Sequence, residues 1–321
     1  VLTAEQKQFW EKNGYLVLPR FFSAERLEWV LRTHQEIWDV YPSNVVVDDL
    51  ITGRRCSMNS LSKAEQTHPF KVNDLYLDYA EVRHLSLDKQ LVEALSKLLP
   101  DAPVLCNTLS LDYGTQQSLH VDSLYMTPLT QGHLIATWIA LEDCHPDAGP
   151  LAYLPGSHKI PPYHFSDGSF HEIVEEKPQW QAYMQQKVQE YGLKEERFLP
   201  KKGDVFIWHA NFMHGGSEIT NSQLTRKSLV SHYFTKTDCL LLGSKLHTVG
   251  QAYWMDRPPL KIPDETAIAK AETPKPPAED LQSVAPKSST ELFKQRVSHV
   301  LRTTLHCFRI WKRSVFDFPQ S

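Results

Sequence analysis

The segment Ser118-Leu119-His120-Val121-Asp122 places an imidazole and a carboxylate two residues apart. On a strand, positions i and i+2 point to the same side, so His120 and Asp122 can converge on one metal ion. That pair suits Fe(II). A second histidine from elsewhere would complete a facial triad and leave three coordination positions for a bidentate co-substrate and oxygen. With 15 histidines in the chain, an isolated His-x-Asp is equally readable as part of an ordinary surface strand.

A second segment runs Gly203-Asp204-Val205-Phe206-Ile207-Trp208-His209-Ala210-Asn211-Phe212-Met213-His214-Gly215-Gly216-Ser217 and offers two further histidines, His209 and His214. A Gly-Asp turn leads into an apolar strand, and glycines after His214 would let the backbone approach a ligand closely. Arg226 follows on the next β-type run. A buried arginine needs an anionic partner, and its planar fork suits a carboxylate such as the distal one of 2-oxoglutarate. Taken singly, His214 reads as a satisfied structural histidine and Arg226 as half of a surface ion pair. Only the combination with His120 and Asp122 points to a metal site.

Such a site needs a rigid β framework. Short β-type runs at 104–111, 133–141, 205–209 and 226–234 are separated by turn signals such as Pro146-Asp147-Ala148-Gly149-Pro150 and Lys201-Lys202-Gly203-Asp204. The expected class is α+β, mainly β, with a jelly-roll (double-stranded β-helix) core and flanking N-terminal helices. Thr3 and Gln6 form a capping box for a first helix ended by Gly14. Residues 15–18 form a strand closed by Pro19, and Ser23 caps a second helix carrying Leu27, Val30, Leu31 and Ile37. A further helix is expected around 88–99, before Pro100, and another from Pro178 to the stop at Gly192.

After about residue 263 the composition changes. Residues 264–289, rich in Pro, Ala, Lys, Glu and Ser, read as a linker. The last segment, 290–321, reads as a basic amphipathic helical appendage, with Phe293, Val297, Leu301, Leu305, Phe308 and Trp311 at three- and four-residue intervals. It could lie in an anionic membrane interface, dock on a protein partner or its own barrel, or carry no chemical role.

Composition narrows the class further. The chain has 321 residues, 41% of them apolar, enough for one large domain with an appendage. No apolar run is long enough to span a bilayer. No basic segment followed by an apolar one opens the chain, so no signal peptide is expected, although a start at Val1 allows for an upstream segment. The 5 cysteines are odd in number, widely spaced and without a CxxC. That disfavours a disulfide scaffold or a cysteine zinc site and points to a reducing, cytoplasmic compartment. A formal charge of −4 gives no reason to expect nucleic acid.

Beyond these single motifs, the chain resembles the phytanoyl-CoA dioxygenase family of Fe(II)/2-oxoglutarate oxygenases. The resemblance runs over residues 3 to 255. It rests on Gly14–Pro19, on His120-Val121-Asp122, and on Trp138-Ile139-Ala140-Leu141-Glu142-Asp143. It continues through Ala148-Gly149-Pro150-Leu151, Leu154-Pro155-Gly156-Ser157-His158-Lys159 and the stretch from Gly203 to Arg226-Lys227. It implies an oxygenase domain over 1–263 in which His120, Asp122 and His214 bind Fe(II), with His209 left out. It implies 2-oxoglutarate and O2 as co-substrates, with succinate and CO2 released. Arg226 would take the C5 carboxylate of 2-oxoglutarate, with Trp138, Asn107 and Ser217 as further co-substrate contacts. Ser217 lies in a Gly-Gly-Ser context where the family has Gly-Ser. Related halogenases replace the carboxylate ligand by a small residue, so Asp122 favours hydroxylation or a related oxidation.

The expected substrate is a small molecule with an aliphatic carbon to hydroxylate: lipid-like, acyl or a secondary metabolite. Tyr125, Met126 and the arm 54–61 are candidate pocket walls, followed by Phe212 and Trp254. The insertion 158–203, with Tyr163, His164, Phe165, Trp180 and Tyr183, is long enough to act as a lid. Two other functions compete. A cupin-type dioxygenase independent of 2-oxoglutarate would commonly use three histidines, which Asp122 and Arg226 disfavour. A non-catalytic barrel serving as a binding module need not retain the set at all.

Overall fold

The computed structural model describes residues 2–257 and 260–263. The expected linker 264–289 and basic helix 290–321 lie outside the described residues. Thirteen strands occur in the described part. They are β1 (Tyr15–Leu18), β2 (Val46–Asp49), β3 (Arg55–Ser57), β4 (Phe70–Asn73), β5 (Pro103–Leu111), β6 (Leu134–Ala140) and β7 (Leu151–Tyr153). Then come β8 (Glu196–Phe198), β9 (Val205–His209), β10 (His214–Gly216), β11 (Ser228–Thr235), β12 (Leu246–Val249) and β13 (Ala252–Met255). The helices are α1 (Ala4–Asn13), α2 (Ala24–Val40), α3 (Ala80–Ser86), α4 (Lys89–Leu95), α5 (Lys177–Glu190) and α6 (Lys236–Leu241).

A large sheet runs in the order β1-β9-β6-β11-β5-β4-β2-β3, and a small one in the order β10-β7-β8. Period-two alternation decides how they stack. On β6, Ile135 and Ile139 face one way and pack with Leu27, Val30 and Ile37 of α2 and with Leu85 and Leu91 of α3 and α4. Ala136, Trp138 and Ala140 face the other way and meet Leu151, Tyr153 and Phe198 of the small sheet. β9 divides likewise, Val205 and Ile207 toward the helices, Phe206 and Trp208 between the sheets. The result is three layers, helices on a large sheet on a small sheet, in a jelly-roll arrangement.

Local signals explain the helix positions. Thr3 accepts from the Gln6 N–H and the Gln6 side chain closes the box, while Gly14 ends α1 at φ 78°. Ser23 accepts from the Arg26 N–H at the start of α2. Asp88 caps α4 through Gln90 and Leu91 N–H, but that helix stops at Leu95, short of the expected 99. Gly203 turns into β9 at φ 92°, where a Cβ would sit 2.1 Å from the Phe22 carbonyl oxygen. The insertion between β7 and β8 carries α5, whose Trp180 and Met184 pack with Phe165 against Val121, Leu124 and Tyr125. It covers the loop that bears Asp122.

Candidate metal centre

His120 and His214 meet across an isolated antiparallel β-bridge, each N–H donating to the other's carbonyl at 2.9 and 3.0 Å. Gly215 and Gly216 make that approach feasible. A Cβ on Gly215 would lie 2.6 Å from the Gln117 carbonyl oxygen, and one on Gly216 would lie 2.7 Å from the Gln116 nitrogen. The glycines therefore admit the neighbouring backbone, and Gly215 also lines the recess beside the triad. Asp122 is not on a strand either. Val121 is extended (φ −121°, ψ 140°), and the chain then enters a 3-10 turn, Asp122–Leu124. One extended residue suffices to keep His120 and Asp122 on the same side.

One ligand atom from each of His120, Asp122 and His214 lies within 4.8 Å of the others, and all three residues are buried. His120 Nδ1 donates to the Ser118 carbonyl at 2.9 Å, and His214 Nδ1 to the Phe212 carbonyl at 3.0 Å. A carbonyl only accepts, so the ring proton sits on Nδ1 and Nε2 turns its lone pair inward. These Nε2 atoms stand 3.9 and 3.6 Å from Asp122 Oδ1. Burial, then the neighbouring His214, pushes His120 down to about 3, so it is neutral at ordinary pH. Burial alone would raise Asp122, but the pull of His214 and His232 overcomes it and holds the carboxyl below its usual range. Two imidazole nitrogens and a carboxylate are the donor set a divalent first-row metal takes.

The second oxygen of Asp122 is held from behind. Trp208 Nε1 donates to Oδ2 at 2.6 Å, and His232 Nε2 lies 3.4 Å from it. His232 Nδ1 bonds to Asn107 Oδ1 at 2.9 Å, Asn107 Nδ2 donates to Asp74 Oδ1 at 2.7 Å, and Arg257 sits 3.1 Å from Asp74 Oδ2. Asn107 is thus fully buried with its amide engaged at both ends, and it does not line the cavity beside the triad. The direct co-substrate contact implied by resemblance is corrected to a place behind His232.

Arg226, Trp138 and the triad line one recess between the sheets. Arg226 precedes β11 instead of lying on it, its N–H bonded to the Asp112 carbonyl at 2.6 Å. Its Nη1 donates to the Gly149 carbonyl at 2.7 Å, and its guanidinium carbon lies 5.7 Å from the Trp138 ring centre. Burial lowers Arg226 to about 10, leaving it a cation at neutral pH. Ser217 lies alongside, its N–H bonded to the Pro150 carbonyl next to Gly149. Arg226 Nε, Trp138 Nε1 and Ser217 Oγ are buried without a hydrogen-bond partner among the described residues. Buried polar groups ordinarily have partners, so the two orphans that line the recess, Arg226 Nε and Trp138 Nε1, are what a missing anionic ligand would leave.

Three groups around the site carry no signal in a short motif: Trp208, His232 and Lys71. Alternation could have found the first two. Trp208 follows Phe206 on the inner face of β9, and His232 follows Val230 on β11, both beside the triad. Lys71 lies on β4 between Phe70 and Val72. Its Nζ donates to Gln117 Oε1 at 3.2 Å, and burial lowers its pKa. His209 points elsewhere: it packs on Trp10 and His158, where burial and then His158 lower it to about 4. Of the candidate walls, Tyr125, Met126 and Arg55 do line a larger cavity of about 480 Å³ that opens on His120 and Asp122. Phe212 is core, packed with tilted rings among Tyr15, Tyr153 and Phe206, and Trp254 packs on Tyr76 and Arg83 away from the metal centre.

Known proteins align with this picture. The family model for phytanoyl-CoA dioxygenase (PhyH) matches residues 10–228. The human peroxisomal phytanoyl-CoA dioxygenase is 26% identical over 261 residues, covering 76% of this chain and 72% of its own. The mouse protein is 24% identical over 257 residues, covering 74% and 70%. Among solved structures, the non-haem α-ketoglutarate-dependent carbocyclase SnoK from nogalamycin biosynthesis superposes with a TM-score of 0.54 at 18% identity, over 73% of this chain and 84% of that one. EctD from S. alaskensis, solved with 2-oxoglutarate and 5-hydroxyectoine, gives 0.54 at 16% identity, over 74% and 77%. These similarities in structure speak to the fold, and the match over 10–228 speaks to descent: the chain belongs to the phytanoyl-CoA dioxygenase family of Fe(II)/2-oxoglutarate-dependent oxygenases.

Proposed function

We propose that this chain hydroxylates an aliphatic carbon of a small molecule, with His120, Asp122 and His214 as iron ligands and Arg226, Trp138 and Ser217 as contacts for 2-oxoglutarate. Iron(II) with 2-oxoglutarate supplies the oxidising power for such a reaction, consuming O2 and releasing succinate and CO2. The observation that carries the reading is a buried guanidinium with no carboxylate partner among the described residues and an unbonded Nε, in the recess beside three inward-facing ligand atoms. A cation there, with Lys71 on the same recess, suits a dianion with a carboxylate at each end. Trp138 flanks the guanidinium and keeps water from it. The Ser118 and Phe212 carbonyls aim the two imidazoles, and Trp208 fixes the carboxylate so that Oδ1 alone faces them. No side chain is needed as a general base.

A dioxygenase without 2-oxoglutarate leaves the buried Arg226 unexplained, and a non-catalytic barrel leaves both it and the triad unexplained. The test is succinate release by the purified chain under air with Fe(II) and 2-oxoglutarate. Wild type is expected to form succinate, and His214→Ala none above background, with bound metal lost in parallel. Undiminished turnover in the variant would remove His214 from the ligand set. No 2-oxoglutarate consumption by the wild type would sink the whole reading.

A further inference from the structure

The cavity of about 480 Å³ over the metal centre matches the volume of a small organic substrate. Part of its wall (Lys71, Leu109, Thr115 and Gln117, with His120, Asp122 and His232) is shared with the recess assigned to 2-oxoglutarate. Beyond that shared part, its larger apolar side chains are Leu50, Tyr125 and Met126, and most of the rest is polar or charged.

The acids on this wall are already satisfied. Asp48 takes Arg55 Nε at 2.6 Å and Nη2 at 3.1 Å. Asp49 accepts from the Ile51 and Thr52 N–H groups and bonds His68 Nδ1 at 2.8 Å. The cations are not used up. Arg55 keeps Nη1 without a hydrogen bond among the described residues. Lys177, in the first turn of α5, has Glu172 at 3.2 Å and the Tyr125 ring at 5.8 Å, with three N–H donors to share. Asn73 adds a buried Oδ1 with no donor. A hydrocarbon chain here would strip water from these groups and return no hydrogen bonds.

We propose that the substrate is a compact, oxygen-rich organic anion, its carboxylate or phosphate taken by Arg55 and Lys177, and not an acyl chain. This rests on the oxygenase reading above, which assigns the neighbouring recess to the co-substrate. Ligand-observed NMR tests it on the full chain loaded with Zn(II) and 2-oxoglutarate. The probes are gluconate, glucuronate, shikimate and glucose 6-phosphate, against palmitate and palmitoyl-CoA. At least one hydroxylated anion is expected to bind, and carboxylate and phosphate probes separate the two head groups. Its affinity should fall about tenfold in Lys177→Met, and similarly in Arg55→Gln, because each substitution removes one charge-assisted hydrogen bond to the anion. Lys177 is only half-buried, so it remains informative should the buried Arg55 variant fail to fold. Binding of none of the four anions overturns the assignment. So does unchanged affinity in Lys177→Met, or succinate release stimulated more by palmitoyl-CoA or palmitate than by every anion. Failure of the oxygenase reading would look different: anions bind with the expected charge dependence, yet the iron-loaded chain consumes no 2-oxoglutarate.

Discussion

Arg226 is buried and faces no carboxylate among the described residues. An uncompensated buried charge costs folding free energy, so its retention calls for a ligand. Replacing it separates two signs. In Arg226→Met the KM for 2-oxoglutarate should rise about 100-fold, from two charge-assisted hydrogen bonds. Thermal stability should hold or rise, because the lone charge is gone. Arg226→Lys should restore little, since an ammonium lacks the planar fork. A structural arginine would show the reverse pattern, lost stability with unchanged KM. Asn107 gives a subtler case. Asn107→Leu removes the acceptor of His232 Nδ1 while Arg257 still neutralises Asp74. Metal affinity should drop by less than the about 10- to 100-fold typical of a group bonded directly to a ligand, because Asn107 acts on Asp122 only through His232. Titration with Mn(II) followed by EPR measures it, and an unchanged affinity would make Asn107 a packing residue only.

Two strips of chain must lie closer than side chains normally allow for His120 to face His214. Gly215→Ala would place a methyl 2.6 Å from the Gln117 carbonyl oxygen, which is backbone and cannot swing away. The strip 116–119 must then move, at a cost of about 1–3 kcal/mol in stability. A lower urea midpoint together with weakened metal binding is the expected result. The main strands of this arrangement were legible from sequence. Runs expected at 104–111 and 205–209 appear as β5 and β9, and the caps Thr3, Ser23 and Gly14 lie where their chemistry puts them. The strands that bound the large cavity were not. β2, β3 and β4 have three or four residues each, include charged or polar side chains, and carry too few alternations to stand out from loop. α3 also escaped, because no capping side chain opens it.

The described chain packs as three layers, and the site occupies the gap between the two sheets, roofed by α5. Ligands that bind only the folded state stabilise it by mass action. At about 100 times its Kd, a metal with 2-oxoglutarate should add about 3 kcal/mol, or roughly 5–10 °C in melting temperature for a domain of this size. Differential scanning fluorimetry with Zn(II) and 2-oxoglutarate should show that rise in wild type, and Asp122→Ala should abolish it. An equal rise in the variant would place the ligands elsewhere. No helix among the described residues is long and apolar enough to cross a membrane.

Residue type and short-range spacing determined the donors: His120 and Asp122 two apart, a histidine before two glycines, an arginine beyond. The period-two pattern determined which faces of the long strands would be buried, because that information is local to each strand. The choice between His214 and His209 was different. Both sit in one segment five residues apart, and spacing alone does not separate them. Resemblance favoured His214, and the bridge to His120 supplies the reason, because it turns His214 inward while β9 directs His209 to the seam with α1. Asn107 behind His232, Lys71 on the recess and the charged wall around Arg55 and Lys177 join segments far apart in the chain. Such neighbours depend on sheet order and register, so only the folded chain brings them together.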